Sequence, residues 1–515
     1  MTAAAAVTTT GAASLVQSVD WLAIAPPVLV ATLALVVLVA DLFIGEQHKA
    51  LLGHATVAGL VAALALLVPL RAGDHSTFCL TGETQACSYT ADHFALAIQA
   101  LVLGGALLTA LITMGDTRRL PAGEFWFLLL SSAAGATLLP AARDLATLVI
   151  ALEVASLPVF ALVGIRRGDR RSSEAALKFF LSSVVATTVT LLGVSFVYAA
   201  TGTLHLTEIA ARLDDVPAGF NTLAEAGVTL TLVGFAFKTA AVPFHFWVPE
   251  TYVGAPVPIA AYLSVVGKAV GFSGLILLGV IAFPSYADVW GPAIAVLAAL
   301  TMTFGNVAAL RQTATRSRSA IRLLAWSSVA QAGYLLVPIA AAAYSSDEQI
   351  GATVTYALMY AVVNFGAFAV AALVARSHPG NRLSDYRGLY ATRPLTALVM
   401  GFFLLCLAGL PPGVIGLFAK VTVFSAIVDA GLGWLAVVMA VNVVIALYYY
   451  LQWTAALFRT PEPATAEAPG TPAATPRTPR VPASLTTAIA LTALAGVALS
   501  GVPQLILRFA AISLF

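Results

Sequence analysis

Lysine is rare in this chain, and most of its lysines lie inside long apolar segments. The sequence has 26 Lys and Arg residues, of which only five are lysines. Four of these five lie in apolar segments: Lys178, Lys238, Lys268 and Lys420. A cation at the centre of a bilayer costs at least about 2.5–3.5 kcal/mol. An amine can release its proton when burial disfavours its charge, whereas a guanidinium keeps its proton. The pattern therefore predicts sites that take up and release protons.

A single deep carboxylate accompanies these lysines. Glu153 lies in the apolar segment LVIALEVASLPVF. A buried glutamate is either neutral or ionised beside a cation. A Glu–Lys pair with two arrangements would act as a gate for protons. The alternative is a static ion pair that only fixes helix packing.

Two further groups have two interpretations each. Lys178 lies about one turn into its segment, four residues after Glu174, so these two side chains could form an ion pair at the membrane interface instead. His245 could relay protons at physiological pH, or it could be a hydrogen-bonded residue at a helix end.

The composition requires a bilayer around most of the chain. Of the 515 residues, 60% are hydrophobic and 10% are charged, whereas soluble domains carry roughly 25% charged residues. About 20 apolar residues cross a hydrocarbon core of roughly 30 Å as one helix. We therefore expect an all-α membrane protein with about 14 transmembrane helices, near residues 21–43, 50–70, 92–114, 122–142, 145–166, 174–200, 223–247, 256–283, 289–310, 319–341, 350–376, 395–428, 432–457 and 484–511.

The cations of the connecting segments predict the orientation. Eighteen Lys and Arg residues fall in the odd-numbered connections and three in the others. Because cytoplasmic loops carry the excess of positive charge, both termini should lie outside a bacterial inner membrane. Residues 1–20 contain no basic residue, so a cleaved signal peptide is not expected. Cys79 and Cys87 then share an external loop, either as a disulfide or as two free thiols.

Prolines predict two interrupted helices beside the deep lysines. Pro243 follows Lys238 in span 7, and Pro411 and Pro412 precede Lys420 in span 12. Interrupted helices at membrane depth usually line a wet cavity. Their spacing predicts two inverted five-helix repeats, spans 4–8 and 9–13. The expected units are 1–120 with helices 1–3, 121–285 and 286–458 with the two repeats, a flexible cytoplasmic linker at 459–482, and a last helix within 483–515.

The sequence shows no motif for a bound cofactor. The three cysteines have neither zinc nor iron–sulfur spacing, and no GxGxxG or Walker A segment is present. The formal net charge of +2 and the lack of a basic run interleaved with aromatic residues give no indication of a nucleic acid partner. We therefore expect no metal, nucleotide, flavin or haem site in this chain.

Four segments carry a family resemblance. They resemble the antiporter-like subunits of respiratory complex I, the proton-translocating NADH:quinone oxidoreductase, over nearly the whole chain: EAALKFFLSS, GFAFKTAAVPFHFWVPETYVGAPVPIAAYLSVVGKAVGF, LAGLPPGVIGLFAKVTVF and NVVIALYYYL. Within that family the chain looks like the subunit N branch. Lys268 follows GAPVPIAAYL where the L and M branches usually carry a histidine region, and Lys420 stands where the M branch typically has glutamate. One helix follows span 13, without the long lateral helix of the L branch.

The resemblance implies a role for each buried group. Glu153 and Lys238 match the Glu–Lys pair of the first half-channel, and Lys178 matches the lysine of the next helix. Lys268 matches the central connecting lysine, and Lys420 matches the terminal lysine of the second half-channel.

The segment IRLLAWSSVAQAGY departs from the family pattern. Gln331 stands where a histidine is usual, and Ile321 stands where a lysine is usual. A glutamine can orient water but cannot carry a proton, so a histidine relay is not expected there. Gln331 and Tyr334, together with His245, are the candidate relay residues outside the lysine chain.

The resemblance implies a translocase subunit in which quinone reduction drives protons along buried Glu and Lys residues. FMN, iron–sulfur clusters and quinone should lie in or near partner subunits, with no redox centre and no direct NADH site in this chain. The expected partners are the other membrane and peripheral subunits and the lipid bilayer. The alternatives are a subunit of a multi-subunit sodium/proton antiporter or membrane-bound hydrogenase, an independent solute carrier, and a purely structural membrane scaffold.

Overall fold

A computed structural model describes residues 19–80, 86–115, 120–345, 349–460, 481–512 and 514–515. These residues are almost entirely helical, which confirms the predicted all-α membrane fold. The exception is one antiparallel hairpin of strands β1 (His75–Cys79) and β2 (Cys87–Ala91). The predicted linker at 459–482 lies mostly outside the described residues.

Three helices precede the first predicted repeat. They are α1 (Trp21–Phe43), α2 (Ala50–Leu66) and α3 (His93–Thr113). Aspartates fix where helices start: the carboxylate of Asp20 accepts hydrogen bonds from the first backbone N–H groups of α1, and Asp92 does the same for α3. Such caps satisfy donors that have no partner inside the helix.

The first predicted repeat contains one interrupted helix and one helix with π-helical turns. Its α-helices are α4 (Ala122–Leu138), α5 (Leu145–Val163), α6 (Arg170–Thr201), α7 (Leu206–Leu213), α8 (Asn221–Thr239), α9 (Trp247–Gly254), α10 (Val257–Tyr262) and α11 (Lys268–Ile276). Two π-helical segments, Leu263–Gly267 and Leu277–Ala282, flank α11.

The rest of the chain contains the second interrupted helix. Its helices are α12 (Ala287–Leu310), α13 (Ser319–Ala342), α14 (Ile350–Ser377), α15 (Leu389–Thr392), α16 (Pro394–Ala408), α17 (Val414–Asp429), α18 (Gly433–Phe458), α19 (Ala483–Gly501) and α20 (Gln504–Leu507). The last predicted span, 484–511, is shorter in the structure, because Gly501 and Pro503 end the long helix.

Both predicted interruptions are present. Helix α8 ends where Ala240 adopts a left-handed backbone with φ of 68°, and Pro243 follows. Helix α16 ends at the left-handed Gly409, before Pro411. Thirteen helical segments of the described chain are long and apolar enough to cross a bilayer. The half-helices α16 and α17 together account for the remaining predicted span, span 12 at 395–428.

The two ends of the described chain lie on the same face of the bundle, one beside the hairpin and the other beside the start of α3. We call this side of the bundle the hairpin face. The backbone N–H of Asp20 donates to the Thr77 hydroxyl at 3.0 Å, and the N–H of Phe94 donates to the carbonyl of Leu514 at 3.1 Å. Arg166, Arg167, Arg318 and Arg376 line one pocket with Thr113, at the other end of α3, and we call that side of the bundle the arginine face.

A buried ion pair stabilises the hairpin face. Arg143 and Asp92 are 8% and 5% exposed and form a direct salt bridge. Arg143 also donates to the carbonyls of Pro140 and Ala142 at 3.1 and 2.9 Å, and its guanidinium lies 6.0 Å from the ring centroid of Phe515. The pair therefore joins the start of α3, the connection between α4 and α5, and the last residue.

Glycine allows α6 to pack closely against α8. A Cβ atom at Gly193 would lie 2.3 Å from the backbone nitrogen of Thr231. Gly193→Ala should therefore lower the free energy of unfolding of the subunit by about 1–3 kcal/mol, because the backbones of α6 and α8 must move apart to admit the methyl group. The measurement is the soluble fraction of this chain after heating the purified complex. Gly104→Ala is the matched control, since a Cβ there meets nothing within 4 Å; equal losses in both variants would contradict the prediction.

Cys79 and Cys87 lie opposite each other in the hairpin, and their sulfur atoms are bonded in the structure. We expect alkylation of the unfolded, unreduced chain to modify Cys406 alone, which is a buried free thiol. Peptide mass spectrometry before and after reduction measures this. Modification of all three cysteines without reduction would show that the pair is two free thiols.

Candidate functional site

Lys238 occupies an aromatic cage in the last turn of α8. Its side chain is 5% exposed, and its amine lies 5.3, 5.4 and 5.8 Å from the ring centroids of Phe160, Phe179 and Phe237. The amine donates one hydrogen bond, of 2.8 Å, to the Ser183 hydroxyl on α6. The end of a helix favours a cation because its last carbonyls point toward it. Ring faces attract a desolvated ammonium as well.

Glu153 lies on α5 and does not contact Lys238 directly. Its carboxylate accepts a hydrogen bond of 2.7 Å from the Thr187 hydroxyl on α6. The side chain of Glu153 is half-buried. Within the described chain, the two charged groups form no ion pair at 4.0 Å or less. The expected Glu–Lys pair is therefore not in direct contact in this structure, and each of the two groups is bound by a hydroxyl group of α6 instead.

A small cavity leads from Lys238 toward the helix that carries Lys268. Its volume is about 20 Å³, and its lining includes Lys238, Ser132, Tyr262 and Gly267. A cavity of this volume holds about one water molecule. The hydroxyls of Ser132 and Tyr262 are 2.9 Å apart, so one wall of the cavity is polar. One ordered water there could receive a proton from the Lys238 amine.

Lys268 follows a π-helical segment at the centre of the bundle. Its side chain is 1% exposed, and its amine donates to both the hydroxyl (2.5 Å) and the carbonyl of Ser328 on α13. The Tyr360 hydroxyl donates to the same Ser328 hydroxyl at 2.9 Å, and the amine lies 5.3 Å from the Tyr360 ring centroid. A π-helical turn changes side-chain direction within a helix and is frequent at functional sites.

A neutral hydrogen-bonded cluster lies farther along α13. Gln331 donates to the Tyr450 hydroxyl at 3.1 Å and accepts a hydrogen bond from the Tyr356 hydroxyl. The Ser327 and Tyr450 hydroxyls are 2.5 Å apart. The ring of Tyr334 lies 5.9 Å from that of Tyr356. Gln331 thus connects two tyrosines in the place where the family usually has a histidine.

Lys420 binds the end of the second interrupted helix. Its amine donates to the carbonyls of Leu407 and Ala408, at 2.9 and 2.7 Å, and the side chain is 5% exposed. These carbonyls have no partner within α16 because the helix ends there. The amine lies 5.7 Å from the ring centroid of Tyr334, whose buried hydroxyl has no hydrogen-bond partner among the described residues.

A vestibule of about 870 Å³ opens at the arginine face. Its charged lining residues are Arg166, Arg167, Asp169, Arg318 and Arg376. Tyr252 also lines it and is 1% exposed, with no hydrogen-bond partner for its hydroxyl among the described residues. The vestibule is large enough for many waters.

Two predicted site residues lie apart from the buried lysines. The Lys178 side chain is 54% exposed on α6 and forms an ion pair with Glu174 at 2.6 Å, as in the alternative interpretation of this residue. The His245 ring packs 4.8 and 5.6 Å from the rings of Phe304 and Trp326, and its Nδ1 has no hydrogen-bond partner in the part of the chain that the structure describes. Their proposed roles in proton transfer stay predictions.

Sequence reasoning missed the hydroxyl groups that lie around the buried lysines, Glu153 and Gln331. They are Ser132, Ser183, Thr187, Tyr262, Ser328, Tyr356, Tyr360 and Tyr450. The available signal was their occurrence as polar residues in apolar helices. That signal is weak, because a serine or threonine in a helix commonly bonds its own backbone.

Chemically, the arrangement can hold and pass protons. Each buried amine has partners that accept hydrogen bonds, and the groups between the amines are neutral donors and acceptors. In the described chain, no group of three or more His, Cys, Asp or Glu side chains could hold a metal ion.

Comparisons with known proteins agree with this architecture. Residues 142–446 match the family described as NADH:quinone oxidoreductase/Mrp antiporter, transmembrane. NADH-quinone oxidoreductase subunit N 2 of Streptomyces griseus is 80% identical over 98% of this chain and 96% of its own length. Subunit N of Salinispora tropica is 44% identical, over 88% of this chain and 87% of its own.

A solved structure extends the likeness to three dimensions. A chain of the respiratory complex I from Thermus thermophilus with bound aureothin superimposes with a TM-score of 0.74 and 30% identity. The match covers 94% of this chain and 98% of that one. By sequence and by fold, this chain belongs to the family of NADH:quinone oxidoreductase subunit N.

Proposed function

We propose that this chain is a proton-translocating membrane subunit of NADH:quinone oxidoreductase. One observation carries the proposal: three lysines are buried at the interruptions and the π-helical turn of a membrane bundle, each with its own hydrogen-bond acceptors. FMN, iron–sulfur clusters and quinone belong to partner subunits in this proposal. This chain then contributes proton transfer alone.

The first step concerns Glu153 and Lys238. When the carboxylate approaches, the ammonium form of Lys238 is stabilised by an opposite charge. When the carboxylate withdraws, an N–H bond of the ammonium breaks and the proton passes to water in the small cavity beside Tyr262. The amine is left neutral, ready to take up another proton. Quinone reduction in a partner subunit is the proposed source of the energy that separates the pair.

The later steps use Lys268 and Lys420. In this proposal a proton leaves Lys268 through the Ser328 hydroxyl, to which the Lys268 amine and Tyr360 both donate hydrogen bonds. Water carries it past the Gln331 cluster to Lys420, because a glutamine orients water but does not carry a proton. Moving one proton against the membrane potential requires about 2.3 kcal/mol per 100 mV. Changes in charge pairing between buried groups have this magnitude, because one pKa unit equals about 1.36 kcal/mol.

The proposed orientation follows from the two faces. Because cytoplasmic loops are rich in arginine, the arginine face should be cytoplasmic, and the vestibule with Tyr252 at its inner end should be the proton entrance. The hairpin face and both termini should then lie outside the bacterial inner membrane. In this proposal Lys238 and Lys268 belong to the half 121–285, and Lys420 belongs to the half 286–458.

The proposal is tested in a strain that lacks this chain and in the same strain complemented with it. Inverted membrane vesicles with NADH as fuel should lose proton uptake without the chain and regain it on complementation. Purification through a tag on the chain should recover many partner subunits. A chain that purifies alone, with NADH-driven proton uptake unchanged by its removal, would instead be a carrier or a scaffold.

A further inference from the structure

Two neighbouring hydroxyls of α6 each bind a different charged side chain. Ser183 and Thr187 are four residues apart, so they lie on one face of α6, slightly more than one turn or about 6 Å apart along the axis. Ser183 accepts a hydrogen bond from the Lys238 amine at 2.8 Å, and Thr187 donates one to Glu153 at 2.7 Å. The helix thereby fixes the distance between an ammonium and a carboxylate that would otherwise attract each other.

Other hydroxyls of α6 behave differently. Those of Ser182, Thr188, Ser195 and Thr201 each donate to the backbone carbonyl four residues earlier, at 2.8 Å in every case. This is the usual partner of a serine or threonine inside a helix. Because helical threonines commonly use this acceptor, the carbonyl of Ser183 is an alternative partner that rotation about χ1 would offer the Thr187 hydroxyl.

We propose that Ser183 and Thr187 form a hydroxyl clamp that holds Glu153 and Lys238 apart, and that rotation of the Thr187 hydroxyl back to its own helix lets the carboxylate approach the ammonium. The inference rests on the proposed function, and it adds the positioning residues that control the charge pair. In the clamped state Lys238 has one hydroxyl and three rings as partners; in the released state it has a carboxylate as well.

The clamp predicts opposite effects for its two members. Thr187→Val frees Glu153 to pair with Lys238, so the amine holds its proton more firmly and the pH profile of NADH-driven proton uptake should shift to higher pH. Ser183→Ala removes an acceptor from the ammonium, so the profile should shift to lower pH. Each shift should be about one pH unit, which corresponds to a tenfold change in the proton equilibrium.

The surroundings of Lys238 make the pH profile interpretable. The groups that face it are the aromatic rings of α5, α6 and α8, Trp247 of α9, the Tyr262 phenol across the cavity, and Glu153. Apart from Lys238 itself and Glu153, none of the described side chains that line the small cavity or lie around the amine is charged. A shift of the profile in either variant therefore reports on the Glu153–Lys238 pair.

The experiment compares the assembled complex in inverted vesicles across pH for Thr187→Val, Ser183→Ala, the wild type and two controls. Thr188→Val and Ser182→Ala are the controls, because their hydroxyls bind the α6 backbone. The clamp predicts opposite shifts in the two test variants, none in the controls, and recovery in Thr187→Ser. Shifts in one direction, effects matched by the controls, or failure of Thr187→Ser to recover would overturn the clamp. If Lys238→Met abolishes pumping while these variants behave as controls, the clamp alone is wrong.

Discussion

A complex that carries Lys238→Met should assemble normally and lose nearly all NADH-driven proton pumping. Methionine fills a similar volume and has no charge to desolvate. Its sulfur also contacts aromatic rings favourably, and three rings line this cage. Replacement of a buried charge by an apolar group of similar size is commonly neutral or stabilising. The loss should therefore fall on proton transfer, and on the NADH oxidation coupled to it, rather than on folding.

The measurement is proton uptake and NADH oxidation in inverted vesicles, at equal amounts of complex on native gels. Lys49→Met is the matched control, since Lys49 pairs with Asp41 and Glu46 at the arginine face, away from the cage. Lys238→Arg should fail as Lys238→Met does, because a guanidinium keeps its proton. Unchanged pumping in Lys238→Met would mean that the buried lysines are structural and that the proposed mechanism is wrong.

Arg143→Met should produce the largest loss of stability. The substitution leaves the buried Asp92 carboxylate without its counter-charge, and breaking such a pair costs about 3–5 kcal/mol. It also removes two hydrogen bonds to backbone carbonyls and the cation beside Phe515. The expected result is a lower midpoint for the loss of soluble subunit on heating the purified complex. Arg212→Met serves as the control on the same face, because Arg212 is exposed.

The loss of stability in Arg143→Met, relative to the wild type, should depend on pH. Burial raises the pKa of the Asp92 carboxyl, and the charge of Arg143 opposes that rise. Without Arg143, the pKa of Asp92 should rise further above its value in the unfolded chain. A carboxyl whose folded pKa is raised contributes stability that is present at low pH and lost as the pH rises through that pKa. The variant should therefore be closer to the wild type at about pH 5 than at about pH 8; a deficit independent of pH would show that lost packing dominates.

The fold follows from the sequence to a large extent because bilayer physics leaves few choices. A segment of about 20 apolar residues must be a helix, so the spans could be placed within a few residues. Pro243 and Pro411 located the interruptions for a similar reason, since each lacks a backbone donor. The hairpin and the short helix α7 were missed, because short segments outside the bilayer carry no such constraint.

The site was predictable only for its charges. Lys238, Lys268 and Lys420 are recognisable because a cation in an apolar helix is costly. Their partners come from other helices, and the sequence does not say which hydroxyl of α6 faces α8 or that Gln331 reaches Tyr450. Lys178 shows the limit in the opposite direction: its residue type suggested burial, whereas its side chain lies on the exposed side of α6.

The contact between the last residues and α3 has a consequence in time. Leu514 accepts a hydrogen bond from Phe94, and Phe515 lies beside Arg143. In each contact the ribosome makes the second residue long after the first. At about 5–20 residues per second, the ribosome needs roughly 20–80 s to reach Leu514 after Phe94 has been made. Throughout that interval the salt bridge of Arg143 lacks its aromatic cover. Completion of the hairpin face therefore waits for the synthesis of Leu514 and Phe515.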